Sequence, residues 1–451
     1  NAAPTIRPRA PLQKQVFSVA NPTQITMSKI STPILDRSVA PPLLPIEHIS
    51  FVGPQITVLN NGAKLFWRNG LQNETSKIEL HFAAGSATKD PLTASLCAGL
   101  LINGSATRTA KQIQKALDAV GAYYDVSLSQ ESSVVTLYAL KDQLLKAYEI
   151  FHESLFTAIF PIKEVQELVH SRRQKYTVQE QKVNFLAQRQ FQRSLMAGST
   201  YANLIQLADF DRADRSQIQA FHAEHYLKGL KKVFLVGDLS TEHVLELEVL
   251  LNAYSSDIAE RAPFSWQPEQ GATHIEQEGA LQSALRIGRP LFNKTHPDFC
   301  AFSVLNTILG DYFGSRLMSN IREDKGYTYG IGSHVVENTK FGYFVIGTEV
   351  GVSTREATFL EIQHEFERLK TELVCEEELN LVKSYLMGQL LKSADGPYAM
   401  LDLFANVETM GLDLSYYDHY IAQIKAVDAH KLQELAKRYL NWEEMLIISA
   451  G

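Results

Sequence analysis

Cysteine is scarce. The chain has three in 451 residues, Cys97, Cys300 and Cys375, far apart and none in a Cys-x-x-Cys pair. An odd, scattered set argues against a disulfide framework and a cysteine-built zinc site, and leaves buried structural thiols as the expectation. Such low cysteine usage fits a bacterial envelope or periplasmic protein. Excess positive charge is also missing. Lys and Arg total 43 against 50 Asp and Glu, and the net charge of -7 argues against a nucleic-acid partner, which wants a basic face. No apolar run reaches the roughly 18 residues of a membrane span, so no transmembrane segment is expected. Ser-His-Asp order, a Walker loop and Gly-x-Gly-x-x-Gly are absent too. What remains is 45% hydrophobic and 21% charged residues, enough for two or three domains with sizeable cores. The sequence opens at Asn1 and not at Met, so removal of an upstream segment is expected.

Residues 1–45 carry eight of the sixteen prolines and are expected to form an extended arm, because proline fixes φ and removes backbone donors. From Ile46 the pattern changes. Ile56–Leu59 and Ala63–Trp67 read as strands joined by an Asn60-Asn61-Gly62 turn. Ile78–Phe82 alternates as a strand, Leu92–Ile102 is apolar and helical in length, and Thr109–Val120 is an amphipathic helix closed by Gly121. Helices follow over 144–160, 163–196 and 213–226, then a strand at Val233–Val236. The Ser-, Pro- and Gly-containing stretch 253–275 reads as a linker between a first domain, 46–252, and a second, 276–451.

The second half replays the first. Gly121-Ala-Tyr-Tyr124 returns as Gly326-Tyr-Thr-Tyr329, each between a helix and a strand. The helix, Tyr226-Leu227, strand, Gly237 ending returns as helix, Tyr439-Leu440, strand, Gly451. A repeat of this length means duplicated domains and not a solenoid. Each half is α+β, a mixed sheet carrying helices.

The sharpest signal runs from Asn306-Thr-Ile-Leu-Gly310 through Gly314-Ser-Arg-Leu-Met-Ser-Asn-Ile-Arg322-Glu-Asp-Lys-Gly326-Tyr-Thr-Tyr329. It resembles the C-terminal domain of pitrilysin-type (M16) zinc peptidases, the family that includes the mitochondrial processing peptidases. The resemblance covers roughly residues 50–451 and implies two LuxS/MPP-like metallohydrolase domains facing each other as half of a clam-like chamber. In that family an arginine and a tyrosine seven residues later hold the substrate backbone and polarise its carbonyl. Arg322 and Tyr329 match in type and spacing, so the resemblance implies a peptide-binding role for them. The chemistry is consistent: peptide hydrolysis develops negative charge on the carbonyl oxygen, which fixed donors stabilise.

The resemblance also implies a His-x-x-Glu-His helix in the first half, with a further glutamate roughly 70–80 residues on, to bind zinc and activate water. Counting back from Gly104, those positions hold Ser95, Ala98 and Gly99, and no His, Asp or Glu lies in 92–103. The distal position falls at Gln174–Tyr176, with Glu180 the nearest carboxylate. The zinc motif is therefore degenerate, and this chain alone is expected to bind no metal and supply no catalytic residue. His222-Ala-Glu-His225 superficially resembles a metal motif. Its counterpart before Tyr439 lacks histidine, which indicates a solvated helix face, and His152-Glu153 is likewise expected at the surface. Relatives that split the work between subunits imply a heterodimer in which a zinc-bearing partner is completed by this chain. The alternative is a structural role like that of the bc1 core subunits.

Overall fold

The computed structural model describes Ser38 and residues 46–69, 74–257 and 264–451; apart from Ser38, the proline-rich arm lies outside the described residues. Eleven strands occur among them. β1 (Gln55–Val58), β2 (Lys64–Arg68), β3 (Thr75–Phe82), β4 (Tyr123–Leu128), β5 (Ser133–Leu140) and β6 (Leu230–Val236) form one sheet. β7 (Gly271–Ile275), β8 (Gln282–Leu291), β9 (Thr328–Glu337), β10 (Gly342–Gly351) and β11 (Leu446–Ala450) form the other. The first-half helices are α1 (Pro91–Leu100), α2 (Ala110–Ala119), α3 (Leu144–Phe156), α4 (Ile162–Gln179), α5 (Val183–Leu195), α6 (Arg215–His225) and α7 (Thr241–Leu251). The second half carries α8 (Phe299–Leu309), α9 (Arg355–Thr371), α10 (Glu376–Ser393), α11 (Gly396–Glu408), α12 (Ser415–Ala426) and α13 (Ala429–Tyr439).

The two sheets have the same topology. The first runs β1-β2-β6-β3-β5-β4 and the second β7-β11-β8-β10-β9. The parallel pair β2–β6 corresponds to β7–β11, and all other neighbours are antiparallel in both. Only β1 has no counterpart. It enters through the expected turn, where Gly62 takes φ +89°, a left-handed conformation that costs glycine little. The match makes β7 the counterpart of β2, so the second domain starts inside the stretch read as linker. Residues 264–269 are also bound: Gln267 N–H donates to Ala197 O at 2.8 Å and Glu269 N–H to Ser194 O at 3.0 Å. Proline and glycine there mark the entry to a strand.

Each half lends a helix to the other half's sheet. Ala187, Phe191 and Leu195 of α5 pack in one buried cluster with Ala284 of β8 and Leu446, Ile448 and Ala450 of β11. Reciprocally, Leu401 and Phe404 of α11 cluster with Phe66 of β2 and Phe234 and Val236 of β6. Charges fix the second exchange. Lys77, almost fully buried on β3, pairs with Glu79 at 2.9 Å and Asp402 of α11 at 2.6 Å, while Lys232 pairs with Glu408. Burial pulls the Lys77 pKa down, but the two carboxylates outweigh it and hold it above the usual lysine value. An amphipathic helix whose apolar stripe is covered by the other half is not stable alone. Ile46–Gly451 accordingly forms one compact unit.

Candidate functional site

α1 starts at Asp90, whose carboxylate accepts the Thr93 N–H at 3.1 Å, followed by Pro91 at the first helical position. Nearly every side chain of α1 is buried. The exceptions are Ser95 and Gly99, one turn apart on one face. That stripe opens onto a cavity of about 240 Å³, also lined by Ala98, Asn103, Tyr124, Asp125 and Arg172. Ser95, Ala98 and Gly99, the three positions that the sequence reading sets at the zinc motif, thus line one cavity.

Arg172 reaches into this cavity from α4, and its guanidinium donates to Ser95 Oγ. A Cβ added at Gly99 would lie 3.3 Å from Arg172 Cζ, closer still to Nη2, and 3.1 Å from Leu168 Cδ2. Glycine at 99 is what admits the guanidinium. Gln174 and Lys175 are exposed, and Tyr176 donates its hydroxyl to Ile205 O at 2.6 Å. Glu180 caps the C-terminus of α4. These residues do not fit zinc: a fixed cation and a hydroxyl stand where imidazoles and a carboxylate would be needed. Among the described residues, no group of three His, Cys, Asp or Glu side chains could hold a metal ion.

Sequence reasoning missed Arg172. The signal available was its position on a helix one turn before Tyr176, facing a serine and a glycine.

The combined variant Ser95→His/Ala98→Glu/Gly99→His is therefore expected to take up no stoichiometric zinc and to show no peptide cleavage. The histidine at 99 projects into Arg172, and the distal ligand is still missing. A ligand set without its supporting shell loses about 10–100-fold in affinity. Metal analysis after dialysis against zinc checks this; one tightly held zinc per chain contradicts it.

The Arg/Tyr pair lies in the second half. Sequence reading expects a helix over 315–322; Arg322 lies in its π-helical part, Met318–Asp324. The Lys325 N–H donates to Asn320 O at 3.0 Å, five residues back. Asn320 anchors this turn to α9 through Glu361 at 3.1 Å and the buried Glu365 at 2.8 Å. The Arg322 guanidinium sits 4.5 Å above the centre of the exposed Phe313 ring, with Glu323 at 3.9 Å. Gly326, at φ +66°, turns the chain into β9.

Tyr329 stands on a β-bulge. Thr328 pairs with Val350 and Ile331 with Thr348, so Tyr329 and Gly330 together face the single residue Glu349. A bulge re-aims a side chain, and the Tyr329 ring is 93% exposed. Two threonines hold the bulge. Thr328 Oγ1 donates to Glu349 O at 2.7 Å and accepts the Gly330 N–H at 3.1 Å. Thr348 Oγ1 lies 2.9 Å from both Thr328 Oγ1 and Gly330 O. Among the described residues the Tyr329 hydroxyl has no partner, so it stands as a solvent-exposed donor on a braced backbone.

Three expectations need correction. His222 is not on a solvated face: it is 4% exposed and donates through Nε2 to Leu155 O at 2.8 Å. Aligning Tyr226 with Tyr439 sets His222 opposite Leu435, a core residue, and only His225 opposite Arg438. His225 Nδ1 bonds Ala83 O at 3.1 Å. His152 is half-buried, not superficial, stacked on Phe156 at 5.3 Å between ring centres and edge-on to Tyr254. Cys97 and Cys300 are buried thiols, but Cys375 is exposed.

Burial pushes the His152 pKa down to about 4, with Glu153 opposing only in part, and it lowers His222 as well. Both rings are neutral in the native protein. Their stability contribution is present above pH 6.5 and is lost as pH falls from there toward 4, by up to about 3 kcal/mol for His152. His152→Phe should flatten this acid limb in denaturant titrations at stepped pH. Superimposable limbs for variant and parent contradict the assignment.

Comparison with known proteins agrees with this architecture. Residues 67–206 match the family described as "Insulinase (Peptidase family M16)", and residues 212–386 match "Peptidase M16 inactive domain". A solved structure from Pseudomonas fluorescens, described as a peptidase M16 inactive domain, superposes with a TM-score of 0.81 at 25% identity, covering 89% of this chain and 98% of that one. An uncharacterised zinc protease of Bacillus subtilis is 20% identical over 84% of this chain and 93% of its own length. The mitochondrial-processing peptidase subunit beta of Rattus norvegicus is 22% identical over 88% of this chain and 84% of its own. Among the described residues no helix is long and apolar enough to cross a membrane.

Proposed function

Because the chain belongs to the M16 peptidase family, we propose that it is the non-catalytic subunit of a heterodimeric zinc endopeptidase, supplying Arg322 and Tyr329 to a zinc site carried by a partner chain of the same family. The observation that carries this reading is the contrast between the two halves. Where a metal would sit, the first half presents Ser95, Ala98 and Gly99 under an arginine. In the second half, a bulge braced by two threonines presents to solvent a tyrosine hydroxyl with no partner among the described residues. A chain that served only as packing would have no use for that exposed donor.

The chemistry assigned to the pair is electrostatic. As a peptide carbonyl becomes an oxyanion, the tyrosine hydroxyl and the guanidinium fork donate to it; the partner's metal, when bound, activates the attacking water. Arg322 and Tyr329 would also grip the substrate backbone and hold it in register. The reading is tested by affinity capture of the tagged full chain from its native source. It expects a co-eluting chain with an intact His-x-x-Glu-His sequence. Capture of the chain only with itself, or only with proteins lacking that sequence, overturns it.

A further inference from the structure

The cavity over Ser95 and Gly99 contains a positive charge that no carboxylate of the described residues neutralises. Other inset cations have either a carboxylate partner, as Lys77 has in Glu79 and Asp402, Arg316 in both Glu378 oxygens at 3.0 and 2.8 Å and Arg289 in Glu444 at 2.6 Å, or more than one neutral oxygen acceptor, as Arg189 and Arg286 have. Arg172 has neither. It is half-buried, its one hydrogen bond is to the neutral Ser95 hydroxyl, and desolvation alone acts on it, pulling its pKa below the usual guanidinium value. Arginine still carries its charge there. Leaving a desolvated cation without a counter-charge is costly, and a guanidinium has donor pairs matched to a planar anion.

The surroundings suit an anion of one kind. The cavity of about 240 Å³ equals roughly eight water volumes at about 30 Å³ each, room for a carboxylate and the residue that bears it. Asn103 and Tyr124 line the same space, and the Asn103 amide has only a long 3.5 Å contact to Glu164. Asp125, exposed, also lines the cavity and opposes the approach of anions.

We propose that this cavity binds a peptide carboxylate, a chain end or an acidic side chain, with Arg172 as its counter-charge. The position that would hold a metal thus becomes an anchor for one end or one residue of a substrate or partner. The anion site itself stands on Arg172. That its ligand is a peptide rests on the reading of the chain as a peptidase subunit.

Calorimetric titration of the full chain tests this with five probes: an N-acetylated tripeptide acid, its C-terminal amide, an N-acetylated C-terminal amide with a central aspartate, acetate, and inorganic phosphate. The tripeptide acid should bind saturably and its amide at least about 10-fold more weakly, the loss expected for an arginine–carboxylate pair. Arg172→Met should weaken the acid by a similar factor, and Asp125→Asn should tighten it. Binding of the aspartate peptide supports the site and adds the side chain as a source. Equal affinity for acid and amide in the parent protein, with the aspartate peptide bound no more tightly than that amide, overturns the proposal, and that comparison holds even if Arg172→Met fails to fold. Binding of phosphate alone, or no saturable binding, also overturns it. Acetate binding lost in Arg172→Met, with no peptide bound, overturns the peptide ligand while leaving Arg322 and Tyr329 to be judged separately.

Discussion

On the proposed subunit role, Tyr329→Phe should lower the kcat of the reconstituted heterodimer by about 10²–10³ with little change in KM, because it would remove one donor to the developing oxyanion and nothing else. The substitution is clean. The ring is 93% exposed and its hydroxyl has no partner among the described residues, so no folded contact is lost. The bulge that aims it is held by backbone and threonine groups that phenylalanine leaves intact. Arg322→Ala should do worse, since it removes charge as well as donors and frees Phe313 from its cation. Both variants should still co-elute with the partner. Wild-type rates in both variants would reduce these side chains to packing, and a scaffold role like that of the bc1 core subunits would replace the subunit reading.

The second large effect concerns the exchanged helices. Phe404→Ala should cost about 3–5 kcal/mol, the usual price of deleting a buried phenylalanine. Its ring lies 5.1 Å from Phe66 and 6.4 Å from Phe234, centre to centre, on the sheet of the other half. The loss should appear as a lower denaturant midpoint for both sheets in one transition, because α5 and α11 couple them. Leu401→Ala on the same helix should act in the same direction. A loss under about 1 kcal/mol, or separate transitions for the two halves in the parent protein, contradicts the coupling.

The duplication was legible because it is written in local signals. Gly121 and Gly326 stop helices and turn the chain into strands, and Tyr226 and Tyr439 precede β6 and β11. The identical strand orders follow from those repeats. The exchange of α5 and α11 was not legible, since periodicity reports that a helix has an apolar face and not which sheet covers it. The linker was overextended because Gly271 looks like a break, when it opens the edge strand β7. His222 was misread because the histidine-free repeat counterpart, with Lys437 and Arg438, was taken to speak for the whole segment; its own register against Leu435 was the better guide. Arg172 stayed hidden on α4, where only Val165 is fully buried. That Ser95, Ala98 and Gly99 carry no imidazole or carboxylate could be read directly, but what surrounds them required the packing of α1 on α4.

The most direct measurement compares chelator-sensitive cleavage of an unfolded peptide by this chain alone, by the proposed zinc-bearing partner alone, and by the two mixed, with metal content determined for each. The account predicts no stoichiometric zinc and no cleavage for this chain, little for the partner, and a rate that saturates at one chain of each. One zinc bound by this chain with cleavage on its own, or a partner that reaches the full rate without it, would contradict the account.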